Sequence, residues 1–174
     1  MKSLTLLRAL VVTACLSIAG AVVAQHVSIE DLRKQLDAPW KAKDWPAAET
    51  IARQITAQSG RTALDWRNLV GALRNQNKID DAHLARQELV KRAGANSSDH
   101  NGICWYLLAR NKALEARPSC QKAVDLDNTS VAALVNLGHS YLLSGDKTQA
   151  MAWYRKTLAQ INKEEELKNG PLDD

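Results

Sequence analysis

Residues 131–164, VAALVNLGHSYLLSGDKTQAMAWYRKTLAQINKE, decide the fold. Leu134, Leu137, Gly138 and Tyr141 stand at i, i+3, i+4 and i+7, one face of an α-helix. Ala150, Tyr154, Thr157 and Leu158 carry the same periodicity further on. Between the two runs, Ser144-Gly145-Asp146 supplies a stop and a start. Glycine takes the left-handed cap of the first helix, and an aspartate carboxylate caps the second. Small residues at Gly138 and Ala150 let the two helices approach closely, so the stretch reads as a helical hairpin.

The hairpin recurs. Lys43-Asp44-Trp45-Pro46-Ala47-Ala48, Asn77-Lys78-Ile79-Asp80-Asp81-Ala82 and Asn111-Lys112-Ala113-Leu114-Glu115-Ala116 resemble Gly145-Asp146-Lys147-Thr148-Gln149-Ala150, and their final alanines are 34 residues apart each time. Stepping back by that period from the last unit meets Ile103, Cys104, Leu107, Ala116 and Cys120, then Trp66, Leu69, Val70, Leu73 and Ala82, then the sparser Leu32, Leu36, Ala48 and Ala52. Order and spacing resemble the tetratricopeptide repeat, whose signature runs large–x2–Leu–Gly–x2–Tyr and then Ala–x3–aromatic. The resemblance implies an all-α solenoid of about four helix-turn-helix repeats in a right-handed superhelix, with units at 29–62, 63–96, 97–130 and 131–164. Each hairpin leaves an apolar face that only its neighbour covers. Pro39 and Pro118 interrupt this pattern and predict a kinked or shortened helix in the first and third units. After residue 164, two readings of the tail 165–174 stand: a polar prolongation of the last helix, or a frayed end.

Composition agrees with helices and narrows the function. The chain has 174 residues, 45% hydrophobic and 24% charged, with five Trp and no Phe. Residues 1–24 form a leader: Lys2 and Arg8, then sixteen uncharged residues ending in the small-residue pattern Val22-x-Ala24. This reads as a secretory signal peptide cut after Ala24 rather than a membrane anchor, since the run is short for a span. Val12-Thr13-Ala14-Cys15 resembles a lipobox, but the apolar run continues after Cys15, so lipidation is the lesser reading. Losing Lys2 and Arg8 lowers the formal net charge from +4 to +2. No basic cluster with interleaved aromatics supports nucleic-acid binding, and no later stretch spans a bilayer. The expected location is periplasmic or secreted.

Past the leader the cysteines are Cys104 and Cys120, at facing positions of the two helices of one unit. An oxidising compartment makes a disulfide the first reading, with two buried thiols as the alternative. His100 adds a third metal-ligating group but no fourth, so no metal is expected. No catalytic motif, phosphate loop or cofactor motif is present, and the chain is read as a non-enzyme without cofactors.

The tetratricopeptide resemblance also implies a ligand groove on the first helices. Its positions fall on Arg33, Arg67, Asn68, Arg74, Asn101, Trp105 and His139, among others. The N-terminal half is then basic and the C-terminal half apolar, through Trp105, Leu108, Val135 and Leu142. A partner with acidic and apolar parts is one reading, a merely solvated surface the other. The clamp by which cytosolic chaperone-binding members hold a chain terminus is broken here by Asp37, Ser98 and Gly102. The resulting expectation is an exported adaptor for a protein or peptide, in cell-envelope assembly or secretion. Its alternatives are a redox or metal-handling protein using Cys104 and Cys120, and a scaffold self-associating through the last repeat.

Overall fold

The computed structural model describes residues 27–169, with side chains through residue 163. The leader and residues 170–174 lie outside the described residues. Among the described residues the chain forms eight helices and no strand. They are α1 (Ile29–Ala42), α2 (Trp45–Ala57), α3 (Ala63–Asn75), α4 (Ile79–Leu89), α5 (Ser97–Leu108), α6 (Ala113–Leu126), α7 (Val131–Leu143) and α8 (Lys147–Asn169). Each packs against the next, which makes an all-α solenoid of helical hairpins.

The 34-residue period is visible in the turns. Ser28, Thr62, Asn96 and Ser130 are the N-caps of α1, α3, α5 and α7, each side chain accepting from the backbone N–H three residues on. Within the hairpins, Lys43, Asn77, Asn111 and Gly145 all occupy the left-handed region, with φ of 57°, 59°, 58° and 92°. Asp44 and Asp146 cap α2 and α8 through N–H bonds from Ala47 and Gln149, of 3.2 and 3.0 Å. The last helix runs on to Asn169, so the polar tail prolongs it.

The four repeated alanines, Ala48, Ala82, Ala116 and Ala150, are at most 2% exposed. They let paired helices close on large partners such as Leu32, Leu69 and Leu137. The core is correspondingly three clusters strung along the stack rather than one centre. At one register position of the 34-residue repeat each unit carries a different pair: Leu36 and Ala52, Val70 and Arg86, Cys104 and Cys120, and Gly138 and Tyr154, the last two pairs in contact. A Cβ on Gly138 would lie 2.5 Å from Tyr154 Cε1, so the glycine there makes room for the ring.

The prolines do not end their helices. α1 and α6 continue through Pro39 and Pro118 to Ala42 and Leu126. The carbonyls that lose an N–H donor are those of Gln35 and Leu114, both exposed residues, where solvent can satisfy a carbonyl without its helical bond.

Lys43 holds a left-handed conformation that costs a side-chain-bearing residue about 1 kcal/mol. Lys43→Gly is expected to raise unfolding stability by roughly that amount in urea titration, and Gly145→Ala to lower it by about the same.

Candidate functional site

The charged residues of the first helices divide into those engaged within the stack and those facing open space. Arg33 on α1 reaches Asp65 at the start of α3, with Nε–Oδ1 3.0 Å and Nη2–Oδ2 2.6 Å, and also donates to the Gly60 carbonyl. One unit later, Arg67 on α3 reaches Asp99 on α5, with Nη2–Oδ2 2.6 Å, and donates to the Gly94 carbonyl at 2.6 Å. Both aspartates close capping boxes as well: Asp65 accepts from the Thr62 N–H and Asp99 from the Asn96 N–H. Burial pushes the Asp65 carboxyl up, but the bonds from Arg33 and Thr62 outweigh it and leave the pKa below the ordinary value. A third internal charge, Glu49 on α2, is buried and joined by Lys78 at 2.6 Å, Arg53 at 2.8 Å and Gln76 at 2.8 Å. There too burial acts upward, and the bonds from Lys78, Arg53 and Gln76 hold the carboxyl down at about 2.

Arg33 and Arg67, two of the arginines expected to make the N-terminal half of the groove basic, therefore join repeats. The ladder has no further rung of this kind. At the next step the arginine position is Asn101 and the aspartate position Ala133, and Asn101 Oδ1 instead accepts from Asn136 Nδ2 at 2.9 Å.

Beside that change lies a cavity of about 310 Å³. Arg74 from α3, Ser98, Asn101 and Trp105 from α5, and Ala132 from α7 line it. These are groove positions read from the sequence, now brought together. Trp105 is 51% exposed, unusual for so large an apolar side chain. α4 adds His83 and Arg86, residues of a second helix that the groove reading did not include. Their one sequence signal is that Arg86 occupies the slot where the signature has an aromatic. His83 stacks on Tyr106 at 3.6 Å between ring centroids, and burial lowers its pKa, with Arg110 and Arg86 adding to the effect. Asn68 is half-buried on α3 outside the cavity lining. His139 is exposed on α7, also outside it, its ring 5.6 Å from that of Tyr154. Trp40 is turned inward against Trp45 and Gly71.

In the same hairpin as Trp105, Cys104 and Cys120 are fully buried, with Cα atoms 4.9 Å and sulfurs 2.07 Å apart. Among the described residues no three His, Cys, Asp or Glu side chains gather as a metal site. No described helix is long and apolar enough to cross a membrane.

A profile of the tetratricopeptide repeat family matches residues 107–169, and the hairpins before residue 107 keep the same 34-residue caps and turns. Residues 107–169 are thus similar to the tetratricopeptide repeat. Solved tetratricopeptide structures share its architecture. MamA superposes with a TM-score of 0.69 at 14% identity, over 80% of this chain and 81% of MamA. YrrB, described as a TPR protein with an unusual peptide-binding site, superposes with a TM-score of 0.64 at 12% identity, over 76% and 69% of the two chains. Among curated proteins, the human cell division cycle protein 16 homolog is 32% identical over 95 residues, which is 54% of this chain and 15% of that relative's length.

The depressed carboxyls carry a pH dependence. A carboxyl held below its unfolded value contributes stability that is present above that value and lost as pH falls toward the folded one. Unfolding stability is expected to drop between the ordinary carboxylate range, about 4 to 4.5, and pH about 2. Urea titrations across that range check it, and Glu49→Gln is expected to flatten part of the drop.

Proposed function

We propose that the chain is an exported, non-catalytic adaptor that holds a segment of a partner protein across α3, α5 and α7, in cell-envelope assembly or secretion. The observation that carries the groove reading is the cavity where exposed Trp105 stands beside Arg74 and Asn101. Tryptophan and arginine dominate binding energy where they anchor interfaces. The polar rim and the apolar floor suit a segment with both characters. Support for export comes from the leader: a positive start, an uncharged run and small residues at Val22 and Ala24. In that setting the facing sulfurs of Cys104 and Cys120 join as a disulfide, which pins α5 to α6 directly behind the groove.

Two measurements test this reading. Protein purified from its native host is expected to begin at Gln25 and to gain 2 Da on reduction, with a loss of about 3 kcal/mol of stability in the reduced form. A start at lipidated Cys15, or unchanged mass, would contradict it. In pull-downs from envelope extract, Trp105→Ala is expected to weaken partner capture roughly tenfold or more, at unchanged helicity. Capture unaffected by that variant removes the groove reading.

A further inference from the structure

Arginine is generally accounted for inside this chain. Arg33 and Arg67 pair with aspartates, Arg53 with Glu49, and Arg110 with Asp80. Arg117 lies over the Tyr141 ring and Arg92 over the Trp66 ring. Arg86 is the exception among the half-buried ones. Its Nε is buried without a hydrogen-bond partner, as are those of Arg61, Arg92 and Arg117. Each of those three engages its guanidinium through another bond, ion pair or ring, whereas among the described residues no hydrogen bond, ion pair or ring engages that of Arg86. Arg74, a second cation without a hydrogen bond or ion pair among the described residues, lines the same cavity. Burial, with like-charge repulsion from Arg74, lowers the Arg86 pKa. Asp99 attracts Arg86 across space but is already bonded to Arg67 three times over. The cavity lining contains no acidic residue at all.

This arrangement depends on two departures from the repeat that meet each other. Arg86 stands where the other units have Ala52, Cys120 and Tyr154. Gly102 stands where neighbouring units have Asn68 and Asn136. A Cβ at Gly102 would lie 2.4 Å from Arg86 Cζ, so the missing side chain is what lets the guanidinium pass under α5 into the groove. A buried guanidinium without a partner is costly, and a planar carboxylate is the group that best satisfies it.

We propose that this cavity is a carboxylate subsite, in which Arg86 and Arg74 hold an aspartate or glutamate side chain within an extended partner segment while a neighbouring apolar residue rests on Trp105. The subsite rests on the groove reading above and gives it a chemical preference. An internal residue is the occupant rather than a chain end, because the positions of the terminus-binding clamp are filled here by Asp37, Ser98 and Gly102. The site differs from the broken terminus-binding clamp in its central residue, which comes from the second helix of a unit.

Fluorescence polarisation with the purified full chain tests it on three labelled pentapeptides. One is an amide with glutamate between two leucines, the second its glutamine counterpart, and the third that glutamine peptide with a free C-terminal carboxylate. The glutamate amide is expected to bind about tenfold or more tighter than the glutamine amide. Arg86→Gln is expected to remove that preference. So is Gly102→Ala, which displaces the flexible end of Arg86 without disturbing backbone. Equal binding of the glutamate and glutamine amides, a preference that survives both variants, binding of none of the three, or a preference for the free terminus alone would each overturn the subsite. If Trp105→Ala still abolishes partner capture in any of those cases, the groove reading stands without it. If capture is indifferent to Trp105, the groove reading itself has failed.

Discussion

The aspartate in the first turn of a repeat does two jobs with one carboxylate. Asp65 and Asp99 each accept the N-cap N–H of their own helix and the guanidinium of the preceding unit. Local helix initiation and the stacking of one hairpin on the next are thereby joined at a single buried atom pair. Apolar burial alone would let hairpins slide along one another, because leucine and alanine faces are non-directional. The bidentate arginine bond fixes both distance and angle. Removing either partner would leave the other charged, largely buried and unmatched.

After two rungs the arginine and aspartate positions become Asn101 and Ala133, and α5 and α7 pack closely on one another, with an added amide bond from Asn136 to Asn101. α4 and α5 are the least closely apposed of the consecutive helices, and the cavity opens beside them. On its far side the Cys104–Cys120 contact holds α5 against α6. One wall is rigidly backed while the other carries cations that the interior does not neutralise.

Much of this was legible in the sequence. The 34-residue spacing of Ala48, Ala82, Ala116 and Ala150 reveals the hairpins, and Gly145-Asp146 reveals how they turn, because local periodicity and capping chemistry do not depend on distant contacts. Facing positions in a regular repeat also place Cys104 opposite Cys120. What escaped is what depends on the third dimension. Arg33 and Arg67 read as free cations because their partners lie 32 residues away, across an interface. The prolines read as breaks because the exposure of Gln35 and Leu114 is not a sequence property. Arg86 stood out only as a misplaced residue in an aromatic slot, and its direction becomes clear once Gly102 is seen opposite it.

The central claim, that the capping aspartate and the preceding arginine act together to join consecutive repeats, is tested most directly by a double-mutant cycle at Arg67 and Asp99. Unfolding free energies would be measured for the parent, Arg67→Met, Asp99→Asn and the double variant. A coupling energy of about 1 to 3 kcal/mol is expected, with the double variant less damaged than the sum of the singles. Additivity to within about 0.3 kcal/mol would contradict the account and leave apolar burial alone holding the stack in register.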